Sequence, residues 1–238
     1  IYIRNSTDAD GSSVKNITNW FVNGTSWTVL NMPFEGGSNS TFTRDYSGTN
    51  NSGRNNASVN GSTFNAAGGF DGRGAYRFDG NDNMTVSDAP GLDMLNNDFT
   101  VSLWLNPASE HAQNGTIGKG KDADNQWRIE LQSNNTPSFE YFSTGSDLGD
   151  LITNISLLKD RYSFVVITID RDGQYRWYIN GNRAGNATFN ETTSIEIKLA
   201  IISSGISKIK NGSKNKNPRA YNNKISIDVK MIPDNIRY

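Results

Sequence analysis

At 238 residues and 34% hydrophobic content the chain can bury a full core, and all-β architectures of this length commonly form one main domain. The net charge of −1, from 23 basic and 24 acidic residues, provides no global field for nucleic acid or a membrane surface. With no cysteine there are no disulfides, thiolate metal sites or cysteine nucleophiles, and no apolar run approaches the roughly 18 residues that would predict membrane insertion.

In chain order, residues 1–26 begin with the apolar Ile1, Tyr2 and Ile3 and continue through a polar stretch containing Asp8, Asp10 and Gly11. They read as an N-terminal arm, a linker or an assembly strand. The start at Ile1 fits a processed product, and Trp20, Phe21 and Trp27 are candidates for contact with a neighbouring subunit or domain. Residues 27–238 read as the domain proper. A strand is expected at 27–34, followed by a Gly/Asn/Ser-rich loop over 36–73, too long to be idle unless it covers something or is decorated.

Short strands at 75–78 and 84–87 flank a turn of Asp79, Gly80, Asn81 and Asp82, residues that tolerate hairpin geometry. From 98 to 106, Phe99, Val101, Leu103 and Leu105 alternate with Thr100, Ser102 and Trp104, the period of a strand. Strands are expected at 127–132 and 139–143, while 148–158 fits either a short helix or a strand. The stretch 162–170 is β-branched and apolar on both faces, as a central strand is. A turn at 171–174 leads into 175–179, and Asn180-Gly181 predicts a type I′ hairpin. Strands at 195–202 and 225–232 flank a basic insertion at about 206–224, which holds Lys208, Lys210, Lys214, Lys216, Arg219 and Lys224 with no acid among them. Its two readings are a solvated insertion and a surface for an anionic polymer. Many short strands with turn signals between them predict an all-β fold, a two-sheet antiparallel β-sandwich.

Asn-x-Ser/Thr sequons fall at Asn5, Asn16, Asn23, Asn39, Asn50, Asn56, Asn60, Asn83, Asn114, Asn134, Asn154, Asn186, Asn190 and Asn211, against roughly 6 expected by chance from the composition. The excess predicts an extracellular or cell-surface glycoprotein. Sugar binding needs an aromatic platform beside planar hydrogen-bonding groups, and Trp104, Trp127, Tyr141, Trp177 and Tyr178 lie on predicted strands. Trp104 and Trp177 are expected in the core, because both faces of their strands look apolar. No glutamate has an acid two positions on, no G-x-S-x-G elbow occurs, and the single histidine, His111, sits in a polar loop, so no enzyme is expected.

The ordered landmarks Phe34-Glu-Gly-Gly, Asp45-Tyr-Ser-Gly-Thr-Asn, Gly72 to Asp82, Phe99 to Pro107, Ile117-Gly-Lys-Gly120 and Trp177-Tyr-Ile-Asn-Gly181 resemble those of laminin-G-like, concanavalin A-like lectin jelly rolls, over about residues 27–200. Two departures are Tyr162-Ser-Phe, where the family usually has Trp-His, and a reduced closing landmark at Ile227 to Ile232. The resemblance implies two curved antiparallel sheets, recognition of carbohydrate or protein at cell surfaces, and often a calcium ion. Calcium takes six to eight oxygen ligands. Asp79, Asp82 and Asn83 supply oxygens in one turn, and Asp45 and Asp228 resemble positions near the same edge, so these five are the candidate ligands of a structural calcium; an unoccupied hairpin turn is the other reading.

Two functions follow from these readings. One is a non-catalytic recognition or adhesion module whose partners are glycans or cell-surface proteins. The other is a structural subunit of a surface layer or filament, joined to copies of itself through the N-terminal strand. The first predicts unglycosylated aromatic and amide groups clustered in a groove.

Overall fold

The computed structural model describes residues 7–11, 14, 16–48, 55–92, 98–107, 114–119, 126–143, 146–170, 174–188, 199–200, 223–224 and 229–233. Its strands run β1 (Phe21–Val22), β2 (Thr25–Ser26), β3 (Leu30–Met32), β4 (Phe42–Thr43), β5 (Ala57–Asn60), β6 (Thr63–Asn65), β7 (Ala75–Phe78) and β8 (Asn83–Val86). A 3₁₀ turn at Pro90–Leu92 precedes β9 (Phe99–Leu105), β10 (Asn114–Lys119), β11 (Gln126–Leu131), β12 (Pro137–Ser143) and β13 (Ser146–Ile152). The chain continues through β14 (Ser163–Ile169), β15 (Gln174–Ile179), β16 (Asn182–Thr188), β17 (Leu199–Ala200), β18 (Asn223–Lys224) and β19 (Val229–Pro233).

Two main sheets follow from this order. One has six strands, β16-β15-β14-β9-β19-β3, and the other five, β13-β12-β11-β10-β17; every pairing in them is antiparallel. Period-two alternation decides what lies between them. Phe99, Val101, Leu103 and Leu105 of β9, with Val165, Ile167 and Ile169 of β14, are buried on the inner face of the six-stranded sheet. Trp127, Ile129 and Leu131 of β11 and Phe139 and Tyr141 of β12 are buried opposite. The layers meet through rings: Phe99 lies 5.5 Å from Trp127, and Phe139 5.4 Å from Tyr175. The all-β antiparallel sandwich expected from the sequence is the fold found.

Smaller three-stranded sheets, β18-β7-β6 and β4-β5-β8, complete the sandwich. The long polar segment 36–73 is therefore not a plain loop. Within it Ala57 and Val59 are buried while Ser58 and Asn60 are exposed, so a short alternating pattern supplies a strand where composition reads as loop. The segment is pinned at Gly74, whose N–H donates to the buried Glu35 carboxylate at 2.7 Å. A Cβ on Gly74 would stand 1.9 Å from the Phe34 carbonyl oxygen, so only glycine fits.

The stretch 148–158 resolves as the end of β13 followed by irregular chain, with no helix. Asn180 and Gly181 take φ of 51° and 81°, both positive as a type I′ hairpin requires. Residues 16–28 lie against the β3 edge: Asn19 Nδ2 donates to the Tyr46 carbonyl at 3.0 Å, and Asn31 Nδ2 to the Thr18 carbonyl at 3.0 Å. The turn at 171–173 and His111 lie outside the described residues, as does most of the basic insertion.

Candidate functional site

Strand polarity puts Trp104 on the outer face of the six-stranded sheet. Its neighbours Leu103 and Leu105 take the inner positions, so Trp104 is half-buried, whereas Trp177 and Trp127, at inner positions, are each 1% exposed. The core expected for both Trp104 and Trp177 holds for Trp177 alone. Apolarity on two faces marks a central strand, and such a strand in an antiparallel sandwich still has one face turned outward.

Around Trp104 the fold assembles an aromatic shelf. Phe164 on β14 is its cross-strand partner, with ring centroids 5.1 Å apart. Phe70 lies flat on the indole at 3.9 Å with 11° between the planes, and the Tyr162 ring meets Phe70 edge-on at 6.3 Å. Together with Asn180 these four rings line an open depression of about 440 Å³, within the range of small-molecule sites.

Local bonding holds each wall. Phe70 comes from the loop Gly68-Gly-Phe-Asp-Gly72, which closes on itself: Gly69 N–H donates to the Arg73 carbonyl at 2.7 Å, Gly72 N–H to the Gly69 carbonyl at 3.2 Å, and Arg73 pairs with Asp71 at 2.8 Å. The Tyr162 hydroxyl donates to the Gly68 carbonyl, tying this loop to the start of β14. Asn180 accepts the Phe164 N–H on Oδ1 at 2.8 Å and donates its own N–H to the Phe164 carbonyl at 2.8 Å. The shelf is thus pre-organised, yet Phe70 remains 59% exposed, more than any other large hydrophobic side chain among the described residues. An exposed aromatic stacked on a half-exposed indole offers a flat apolar surface beside an amide, which is what the CH face and hydroxyls of a sugar ring require.

The residues expected to hold calcium are placed as follows. Asp45 is fully buried, and its oxygens accept N–H from Asn31 at 2.8 Å, Ser47 at 2.9 Å and Asn55 at 2.9 Å, with the Ser47 hydroxyl at 2.6 Å. Donors converging on a carboxylate do the work a cation would do, so this group fits a loop clamp rather than a metal ligand. Asp82 Oδ2 accepts the Asp79 N–H at 2.8 Å; burial raises the Asp82 carboxyl above its usual range, against the effect of that N–H. Asn83 is half-buried on β8. Asp228 lies outside the described residues, among which no group of three or more His, Cys, Asp or Glu gathers.

The five-stranded sheet carries an acidic pair that adjacency in sequence does not reveal. Arg128 on β11 reaches Glu130 at 2.7 Å and, across the strand pair, Glu140 at 2.6 Å. Burial, then the charge of Glu130, raises the Glu140 carboxyl, while Arg128 pulls the other way. Both glutamates are at most 5% exposed and bridged by the guanidinium, the arrangement of a structural ion-pair network.

Of the sequon asparagines within the described residues, Asn16, Asn23, Asn39, Asn56, Asn60, Asn134, Asn154 and Asn186 are exposed, and none lines the depression. Asn5, Asn50, Asn190 and Asn211 lie outside the described residues, and Asn114 opens β10. Among the residues proposed for assembly, Ile1, Tyr2 and Ile3 lie outside the description, while Trp20 and Phe21 are 44% and 51% exposed on the β1–β2 hairpin.

A two-sheet antiparallel sandwich of this order has the architecture of a jelly roll. The family model of the concanavalin A-like lectin/glucanases superfamily matches residues 78–207, and the chain belongs to that superfamily. No curated protein matches the chain in sequence. Similar solved structures include the binding domain of Paraclostridial Mosquitocidal Protein 1, at 19% identity and TM-score 0.66, covering 88% of this chain and 49% of that one. The botulinum neurotoxin serotype G binding domain is 15% identical with TM-score 0.64, covering 88% and 48%. A botulinum neurotoxin type C structure, described as dependent for cell entry on two ganglioside molecules, is 16% identical with TM-score 0.64, covering 89% and 49%. The chain spans about half the length of these structures, and at such identities the likeness is one of fold.

Proposed function

We propose that the protein is a non-catalytic carbohydrate-recognition module that binds glycan on the shelf of Phe70, Trp104, Tyr162, Phe164 and Asn180. The observation that carries this reading is the exposed Phe70–Trp104 stack beside the Asn180 amide, in a depression lined by none of the described sequon asparagines. Membership of a lectin-containing superfamily supports it, as does ganglioside dependence in a protein of similar fold. A glycan array probed with the protein and with Trp104→Ala tests it: binding that disappears in the variant is expected, and identical profiles would refute it.

Around this function the protein is an extracellular or cell-surface glycoprotein serving adhesion, supported by the eight exposed sequons. Digestion of the native protein with peptide N-glycosidase should lower its mass by several glycans. Calcium enters this reading through Asp79, Asp82 and Asn83, with Asp228 outside the described residues, as a structural ion on the turn between β7 and β8. Chelation should then lower the melting temperature, and Asp82→Asn should abolish that response.

One observation favours a second reading, assembly into a layer or filament. Trp20, Phe21 and Val22 are 44%, 51% and 40% exposed on one short hairpin, apolar side chains that a neighbouring copy would cover. Sedimentation at rising concentration should show self-association that Phe21→Asp suppresses.

A further inference from the structure

Resting on the carbohydrate reading of this shelf, we infer that its ligand is a neutral pyranose that presents a flat CH face, and not an acidic sugar. Among the described residues the lining is four aromatic rings and one amide, with no arginine, lysine, aspartate or glutamate. Carboxylate recognition draws on arginine forks, lysine or converging N–H groups. The described cations nearest in the chain, Arg73, Arg161, Arg176 and Arg183, all lie outside the lining. Arg73 is paired with Asp71 at 2.8 Å, and Arg161, next to Tyr162, is exposed outside the lining. Arg176 on β15 and Arg183 on β16 stand four positions before and three after the turn residue Asn180.

The polar groups of the shelf are equally telling. Asn180 Oδ1 is taken by the Phe164 N–H, so what this residue offers a ligand is its Nδ2 donor. The Tyr162 hydroxyl proton is committed to the Gly68 carbonyl. Recognition therefore falls to stacking on the face of Phe70 turned away from Trp104, with the Asn180 amide as a donor to a ring or hydroxyl oxygen. Such a site favours pyranoses whose hydroxyls lie equatorial, leaving an unbroken apolar face, and it gains nothing from a sialic acid carboxylate or a sulfate. Because no charge is paired, affinity should not depend on ionic strength beyond the small effect of salt on apolar contact.

The test is titration of the full chain, observed by ligand saturation-transfer NMR and calorimetry, with cellotetraose, lactose and 3′-sialyllactose, at 0.05 M and 0.5 M NaCl. The expected result is binding of cellotetraose or lactose that changes less than twofold with salt and weakens at least tenfold in Phe70→Ala and in Trp104→Ala. Phe70 stands in an exposed loop, so its variant should keep the wild-type urea midpoint and serves as the folded control should Trp104→Ala destabilise. Preference for 3′-sialyllactose over lactose, or affinity that collapses in high salt, would overturn this inference while leaving carbohydrate recognition standing. Neutral binding that survives Phe70→Ala unchanged would place the ligand elsewhere and overturn it too. Failure of all three sugars to bind would overturn the carbohydrate reading itself, and the inference with it.

Discussion

Replacing Asp45 by alanine tests whether this carboxylate acts as a clamp through protein donors or through a metal. In the folded chain it holds three backbone N–H groups, from Asn31, Ser47 and Asn55, at 2.8–2.9 Å, together with the Ser47 hydroxyl at 2.6 Å. The hydroxyl has a second acceptor, the Val29 carbonyl at 3.2 Å, so it is not orphaned by the change. Three amides are. Each buried donor left without a partner costs about 1–3 kcal/mol, and relaxation of the segment after Asp45 lets water reach some of them, so the expected loss is about 3–5 kcal/mol. Against a total stability of about 5–15 kcal/mol this is a large fraction. Asp45→Asn keeps one carbonyl oxygen for two of the amides while turning an NH₂ toward the third donor, and should lose about half as much. Equilibrium urea unfolding, in buffer with and without calcium, measures both. A loss below about 1 kcal/mol for Asp45→Ala would refute the clamp, and a loss seen only in calcium would assign the carboxylate to a metal.

Gly74→Ala should destabilise by about 3 kcal/mol, because its Cβ would meet the Phe34 carbonyl oxygen at 1.9 Å and strain the Gly74 N–H bond to Glu35; the urea midpoint reports it. Glu140 sets a pH dependence. Its carboxyl is raised in the folded state by burial and then by Glu130, so the folded chain holds the proton more tightly than the unfolded one. The resulting stabilisation is present below the ordinary value of 4.5 and is lost as pH rises through the raised folded value. Glu140→Gln should flatten that fall in urea midpoints measured upward from pH 4, and an unchanged slope would remove Glu140 as its source.

The sandwich was legible because alternation survives in the strands that build it: Phe99, Val101, Leu103 and Leu105 point inward as their spacing requires, and Asn180-Gly181 turns as its residues dictate. The strands inside 36–73 were hidden, since two or four residues of pattern among Gly, Asn and Ser do not rise above the composition of a loop. The shelf was half visible. Trp104 stood out, but its side of the sheet is decided by which of two apolar faces meets the second layer, a tertiary choice. Phe70 carried the signal that went unread, a lone aromatic between glycines in a polar loop, where nothing local asks for an apolar ring. The Glu130–Arg128–Glu140 network was out of reach of spacing rules, because strand pairing brings together residues 10 and 12 positions apart.

The five tryptophans, Trp20, Trp27, Trp104, Trp127 and Trp177, give five indole N–H signals in a nitrogen-edited NMR spectrum, and titration with cellotetraose and lactose reads the site directly. The account predicts that the Trp104 indole signal moves with saturable dependence on sugar while those of the buried Trp127 and Trp177 stay in place. Movement confined to Trp20 or Trp27, or no movement at Trp104 while sugar binds, would contradict it.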